Sequence, residues 1–281
     1  MKKLVCLLLL LCCAFQPLLS WAKKYPGDRV FVALEQFQWR EFVGSDQRVV
    51  LESGPRLRMG VTENNLSLRW PGIVYDLTAG LQLGQVDYLG DTQFAQSDTA
   101  VPFKTSTDYL GYAMSALIGQ RYGYVNRTHL FDLMGGVSLE GWFKTINASI
   151  DEQAQPVNAL GKSYRVVSGL VAMGFSQRER QRNAYFRVGI KYPLVIQAWV
   201  TEDEVKFHPG KNFSGFASIK LVDFFQVFNR YITITVFFDS YRFGQSNVKA
   251  VSVEGDDGES TPTLMQHFKS EMDVFGVSIA F

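Results

Sequence analysis

The sequence predicts an all-β fold, a transmembrane antiparallel up-and-down β-barrel, on three observations. Period-two alternation of apolar and polar residues is nearly the only pattern after residue 22. The alternating segments run ~9–14 residues, enough for a tilted strand to cross a bilayer and longer than the ~5–6 residues usual in a soluble sandwich. Short connections alternate with longer polar ones, which puts tight turns at one end of a barrel and loops at the other. Ten strands fit best, with eight or twelve as alternatives, and ten leave both termini on the short-turn side.

The strands are placed at 29–42, 54–62, 72–86, 107–120, 128–145, 162–176, 184–196, 211–222, 230–243 and 271–281. In the first, Val30, Val32 and Leu34 alternate one way and Phe37 and Trp39 the other, so a bulge is expected between them. After the second strand Thr62 to Pro71 is poorly patterned, and the hairpin turns at Asn64-Asn65 or at Pro71-Gly72. The third sets Ile73, Tyr75, Leu77, Ala79, Leu81 and Leu83 against Val74, Asp76, Thr78, Gly80, Gln82 and Gly84. A long polar connection, Asp87 to Ser106, leads to the fourth strand, and a short one, Arg121 to Arg127, to the fifth. There Phe131, Leu133, Val137, Leu139 and Phe143 oppose Asp132, Ser138, Glu140 and Lys144. Asn147 to Gly161 is the next loop, and Gln177 to Asn183 the turn between the sixth and seventh strands. The seventh alternates Phe186, Val188, Ile190 and Tyr192 with Tyr185, Arg187, Gly189 and Lys191. Pro193 has no ladder donor, so this strand ends or bulges there, near the outer rim. The ninth sets Ile232, Ile234, Val236 and Phe238 against Thr233, Thr235 and Asp239, and Gln245 to Ser270 is the last long loop. Aromatics near segment ends, among them Trp39, Tyr109, Tyr122, Tyr124, Trp142, Phe143, Tyr192, Trp199, Tyr231, Tyr241 and Phe243, suit interfacial girdles.

Residues 1–22 have the parts of a secretory signal peptide: Lys2 and Lys3, an apolar stretch opening at Leu4, and Ser20-Trp21-Ala22 before a cleavage site. The domain division is then 1–22 signal peptide and 23–281 barrel. The chain has 28 basic and 27 acidic side chains. Losing Lys2 and Lys3 leaves one more acid than base, a balance that offers nucleic acid no attraction. The three cysteines, Cys6, Cys12 and Cys13, leave with the signal. That excludes disulfides, cysteine zinc sites and thiol nucleophiles from the mature chain.

The last eleven residues place Phe275, Val277, Ile279 and Phe281 on one face. This alternating final strand, ending in Phe, resembles the C-terminal signature of bacterial outer-membrane β-barrel proteins. With the signal peptide and the ten patterned segments, the resemblance covers the whole mature chain and points to no functional subfamily. It implies a Gram-negative outer membrane as location, with outer-membrane lipid and lipopolysaccharide as surroundings. It also implies barrel-assembly machinery and periplasmic chaperones as partners in biogenesis.

Enzymes of this barrel class have recognisable chemistry. Lipid A and phospholipid hydrolases resemble one another in a His followed closely by Ser along a strand. None of His129, His208 and His267 has a serine two residues on. Omptin proteases share the strand count and pair Asp–His with a second Asp pair at the rim, for which His208, Glu202-Asp203-Glu204 and Asp256-Asp257 are the nearest approach. Gly161-Lys162-Ser163 fails as a phosphate loop because Pro156 replaces the first glycine and a strand follows. The acids Glu254, Asp256, Asp257 and Glu259 suit a solvated loop better than a divalent-cation site, and Arg178, Arg180 and Arg182 suit a solvated turn. No catalytic residue, cofactor or metal is implied; the enzyme reading is the alternative.

The candidate site is the lumen. Inward positions include Arg56, Arg58, Asp76, Asp132, Glu140, Arg187, Lys191, Lys220 and Asp239. A ten-strand bore is only slightly wider than side chains can fill, and an unpaired buried charge costs several kcal/mol. Two outcomes stay open: a plug of salt bridges, or a narrow hydrated path in which Arg56, Arg58 and Lys191 set selectivity. The function expected is therefore a narrow porin or a surface-exposed structural or binding barrel, without enzymatic activity.

Overall fold

The computed structural model describes residues 28–44, 47–66, 71–92, 101–124, 129–150, 156–157, 160–179, 182–200, 205–227, 230–254 and 260–281. The proposed signal peptide lies outside the described residues, as do residues 255–259 of the acidic loop and 180–181 of the arginine turn. The strands are β1 (Asp28–Val43), β2 (Gln47–Asn64), β3 (Gly72–Thr92), β4 (Val101–Tyr124), β5 (His129–Ile146), β6 (Ser149–Ile150), β7 (Pro156–Val157), β8 (Leu160–Glu179), β9 (Arg182–Val200), β10 (Val205–Phe207), β11 (Gly210–Lys211), β12 (Ser214–Val227), β13 (Arg230–Gly244), β14 (Lys249–Glu254), β15 (Ser260–Met265) and β16 (Lys269–Ala280).

Ten long strands close an antiparallel barrel in the order β9-β12-β13-β16-β1-β2-β3-β4-β5-β8, with β8 paired back to β9. The seam between the chain's two ends runs from Phe31 opposite Ala280 to Phe42 opposite Lys269. Phe281 extends it: its amide donates to the Val30 carbonyl at 3.0 Å and its carbonyl accepts from the Val30 amide at 3.2 Å. Two small hairpins, β6–β7 and β14–β15, decorate the long-loop side, and β10 and β11 pad the outer ends of β9 and β13.

Several strands greatly exceed what a bilayer needs. β3 has 21 residues and β4 has 24, against ~9–11 for a crossing. Their side-chain pattern explains the surplus. The outward positions Ile73, Leu77, Leu81 and Leu83 of β3 are exposed and apolar, while the next outward residues are Gln85 and Asp87. A line of apolar outward residues marks the upper edge of this run and pairs from neighbour to neighbour: Leu34 with Leu57, Leu57 with Leu83, Leu83 with Leu110 and Leu110 with Phe143. Below that line the barrel wears an apolar belt, which only lipid would cover without penalty.

Above the line the two faces exchange character. Outward residues become polar (Gln38, Arg40, Asp108, Arg165, Arg242, Asp273), and inward ones become large and apolar. Phe37, Trp39, Val86, Tyr88, Tyr109, Trp142, Tyr164, Ile196, Phe243 and Met272 form one buried cluster across the bore. Trp142 stacks on Tyr164 with ring centroids 5.2 Å apart, and Trp39 meets Tyr164 at 5.2 Å and Phe243 at 6.0 Å. The molecule therefore has a membrane tier, oily outside and polar within, and an outer tier built like a water-soluble barrel.

This exchange corrects three expectations. β1 needs no bulge after Leu34, because its register with β16 is continuous: Val32 and Leu34 face lipid, and Phe37 and Trp39 face the outer core. The only irregularity of β1 lies near its end, at Glu41/Phe42. Of the presumed girdle aromatics, Trp39, Tyr109, Trp142, Tyr241 and Phe243 are buried in the core, whereas Tyr122, Phe143, Tyr192 and Tyr231 are exposed. Strands also invade the presumed connections, so that β3 runs to Thr92, β4 spans Val101–Tyr124 and β8 ends at Glu179. At Pro193, β9 does bulge, since Ser168 faces Pro193 while Val167 faces Val195. It then continues to Val200, so the bulge sits well inside the barrel wall, below the rim.

Candidate functional site

Alternation within the membrane tier turns every second side chain inward, and most ionisable ones there have a partner. At the short-turn end, Arg121 grips Asp132 with two hydrogen bonds of 2.7 Å, from Nε and Nη2, and donates from Nη1 to the Leu66 carbonyl at 3.0 Å. Both side chains are fully buried. This bidentate pair ties β4 and β5 to the β2–β3 turn and forms a floor. Higher up, Asp76 accepts from Arg187 at 2.6 Å and Lys220 at 2.7 Å, which joins β3 to β9 and β12 across the bore. Across the chamber Lys191 pairs with Asp239, whose other oxygen lies 3.0 Å from the Tyr241 hydroxyl, and Tyr241 donates its one proton to Glu140. Arg56 meets Glu35 at 3.0 Å and stacks over the Phe37 ring at 4.0 Å, and Arg58 stands 3.7 Å from the same carboxylate.

All nine sequence candidates, Arg56, Arg58, Asp76, Asp132, Glu140, Arg187, Lys191, Lys220 and Asp239, thus line one polar column. Arg58, Asp76, Glu140, Arg187, Lys191, Lys220 and Asp239 surround a cavity of about 210 Å³. At ~30 Å³ per water it has room for about seven. Its ceiling is the aromatic cluster of the outer tier.

Sequence reasoning missed Glu35, Glu41, Glu52, Arg121 and Lys144. Glu35 and Glu41 lie on a strand whose faces were ambiguous, Glu52 before the presumed start of the second strand, and Arg121 in a presumed turn. Lys144 alternated correctly but stood above the lumen considered. It now pairs with Glu52 at 2.7 Å inside the outer core, where Tyr109 also donates to Glu52. Its ammonium lies 4.7 Å from the Trp39 ring centre. Strand parity, once the tier boundary is known, would have found all five.

The three histidines occupy different elements, His129 at the short-turn end and His208 and His267 on the long-loop side. His129 opens β5 at the short-turn end with its ring 5.8 Å from Phe175. His208 is exposed between β10 and β11. His267 is buried in the loop before β16, with Nε2 3.2 Å from the Tyr164 hydroxyl. Among the described residues no cluster of three or more His, Cys, Asp or Glu is arranged to hold a metal. The remaining resemblance residues, Phe275, Val277 and Ile279, are exposed on the belt, and Phe281 closes the seam.

No family model matches the chain, and no curated protein matches it in sequence. Solved structures do match. The outer-membrane protease OmpT of Escherichia coli is similar at TM-score 0.55 and 10% identity, over 92% of this chain and 97% of that one. The transport unit of the Escherichia coli autotransporter AIDA-I follows at TM-score 0.44 and 7% identity, over 92% and 91%. The β domain of the Bordetella autotransporter BrkA follows at 0.40 and 10%, over 91% and 99%. The chain has the fold of bacterial outer-membrane β-barrels, with ten strands. At such identity the match to OmpT carries the fold alone.

Proposed function

We propose that this protein is a sealed, non-enzymatic barrel of a Gram-negative outer membrane that acts through its outer tier and loops as a surface-exposed structural or binding protein. The aromatic cluster above the polar column supports this choice over a narrow porin: Trp39, Trp142, Tyr164 and Phe243 meet across the bore at contact distance. Ion pairs below add a second closure, since separating them to admit a solute would strand buried charges. The apolar belt and the outward Phe275, Val277 and Ile279 support an outer-membrane lipid setting, with lipopolysaccharide against the polar band above it. Cleavage after Ala22, and passage through periplasmic chaperones to the barrel-assembly machinery, belong to the same proposal.

Planar-bilayer recording of the refolded chain tests it. A barrel shown to be folded should give no discrete conductance steps. Reproducible steps whose ion selectivity changes in Arg58→Gln or Lys191→Gln would establish the porin instead.

A further inference from the structure

The ion pairs around the luminal chamber leave over two groups of opposite charge. Arg58 of β2 points inward, and its side chain is 20% exposed, on the chamber it lines. Among the described residues its one carboxylate neighbour is Glu35, 3.7 Å away, beyond hydrogen-bond range and already held by Arg56 at 3.0 Å. Glu140 of β5 has the converse deficit. Among the described residues its hydrogen bond comes from the Tyr241 hydroxyl and no cation stands at ion-pair distance, whereas Asp239 beside it takes Lys191. Strand register sets Arg58 and Glu140 at the two ends of a tray of mostly small residues. Arg58 pairs with Gln82 of β3 and Gln82 with Gly111 of β4. One inward step lower, Gly80 pairs with Ala113 and Ala113 with Glu140. Gly80 leaves its place over the wall free, and Arg58 Nε lies 3.5 Å from where a Cβ there would sit. Both charged groups line the cavity of about 210 Å³. That cavity also reaches Phe31 and Ser278, within three residues of the short-turn ends of β1 and β16, while the Arg121–Asp132 floor stands on β4 and β5.

We propose that this chamber binds a small zwitterion, an ω-amino acid, with its carboxylate on Arg58 and its ammonium on Glu140, entering from the short-turn end beside the seam. Two opposite charges too far apart to pair, in a bore of low dielectric, are both satisfied by a ligand that carries the complementary pair. A lone anion would meet Glu140 and Asp239, and a lone cation would meet Arg58, so neither is served as well. Room for about seven waters sets a ligand of about seven non-hydrogen atoms, a carboxylate and an amine joined by a short chain. The site lies beneath the aromatic ceiling and so goes beyond the outer-tier reading. Conductance decides that reading and leaves this one to a separate titration.

The test is calorimetric titration of the refolded barrel in nonionic detergent with γ-aminobutyrate, and with butyrate and butylamine as analogues that each keep one charge. γ-Aminobutyrate should bind saturably, and each analogue at least about tenfold more weakly, the loss of one charge-assisted contact. Arg58→Met should weaken γ-aminobutyrate by a similar factor without weakening butylamine, which brings no carboxylate. Glu140→Gln should do the same with butyrate as the indifferent ligand, and Lys206→Met, on an exposed residue of β10, should change nothing. Equal affinity for the three ligands, undiminished affinity in Arg58→Met or Glu140→Gln, or no saturable heat at millimolar γ-aminobutyrate would each overturn the proposal. Heat-dependent gel mobility shows whether each variant is folded, and the three ligands on the unaltered barrel decide the matter where one is not.

Discussion

Arg121 and Asp132 show how far a single buried pair can govern this barrel. Each is fully buried, so removing one partner strands a charge, whereas removing both removes the desolvation cost as well. Asp132→Ala should therefore cost about 3–5 kcal/mol, and Arg121→Met combined with Asp132→Leu much less. Urea unfolding in micelles checks this, and a double variant as unstable as the single one would contradict it. His267 offers a pH-dependent counterpart. Burial pushes its pKa down to about 4, with Glu41 opposing and Lys162 and Lys144 assisting. The unfolded chain, near 6.5, takes up the proton first, so stability falls as the pH drops from about 6.5 towards about 4, by up to about 3 kcal/mol. Above about pH 7 this histidine adds no pH dependence. The wild type should thus lose more of its urea midpoint between pH 7.5 and pH 5 than His267→Gln does; equal losses would reject the assignment.

At the scale of the strand, the change of face along β1 defines the bilayer limit. Leu34 is 64% exposed on the belt, whereas Gln38, two outward positions higher, lies above it. Val32→Arg, one outward position deeper in the belt than Leu34, should cost about 2–4 kcal/mol, and Gln38→Arg close to nothing. Similar costs at both positions would remove the boundary. The same change of face decides what the sequence revealed. Strand existence was legible because alternation persists through both tiers, with the period unchanged. Strand ends were not, because Lys104 and Ser106 look like loop residues when only lipid-facing alternation counts as strand. The polar column was legible in β3, β5 and β9, where oily outward neighbours fixed the parity of Asp76, Asp132 and Arg187. Glu35 escaped because in β1 the oily residues switch sides one position past Leu34. The aromatic ceiling escaped for the same reason, since an inward Trp39 and an interfacial one look alike in sequence.

The whole molecule is two barrels of opposite polarity sharing one set of strands. Its outer core draws on β1, β2, β3, β4, β5, β8, β9, β10, β13 and β16, among which the longest sequence separations occur between Phe37 and Val274. Trimming that core should weaken the barrel without touching lipid contacts: Trp142→Ala should cost about 3–5 kcal/mol, read as a lower urea midpoint with an unchanged apolar belt. That composition also bears on how the molecule comes into being. Contacts between the first and last strands must wait until nearly the entire chain has been threaded into place, and closing so long a loop is entropically costly. The complete outer core should therefore be among the last features to form. It acts as a latch, engaging only when β16 meets β1, and the step that zips the seam is the step that makes the finished barrel slow to reopen.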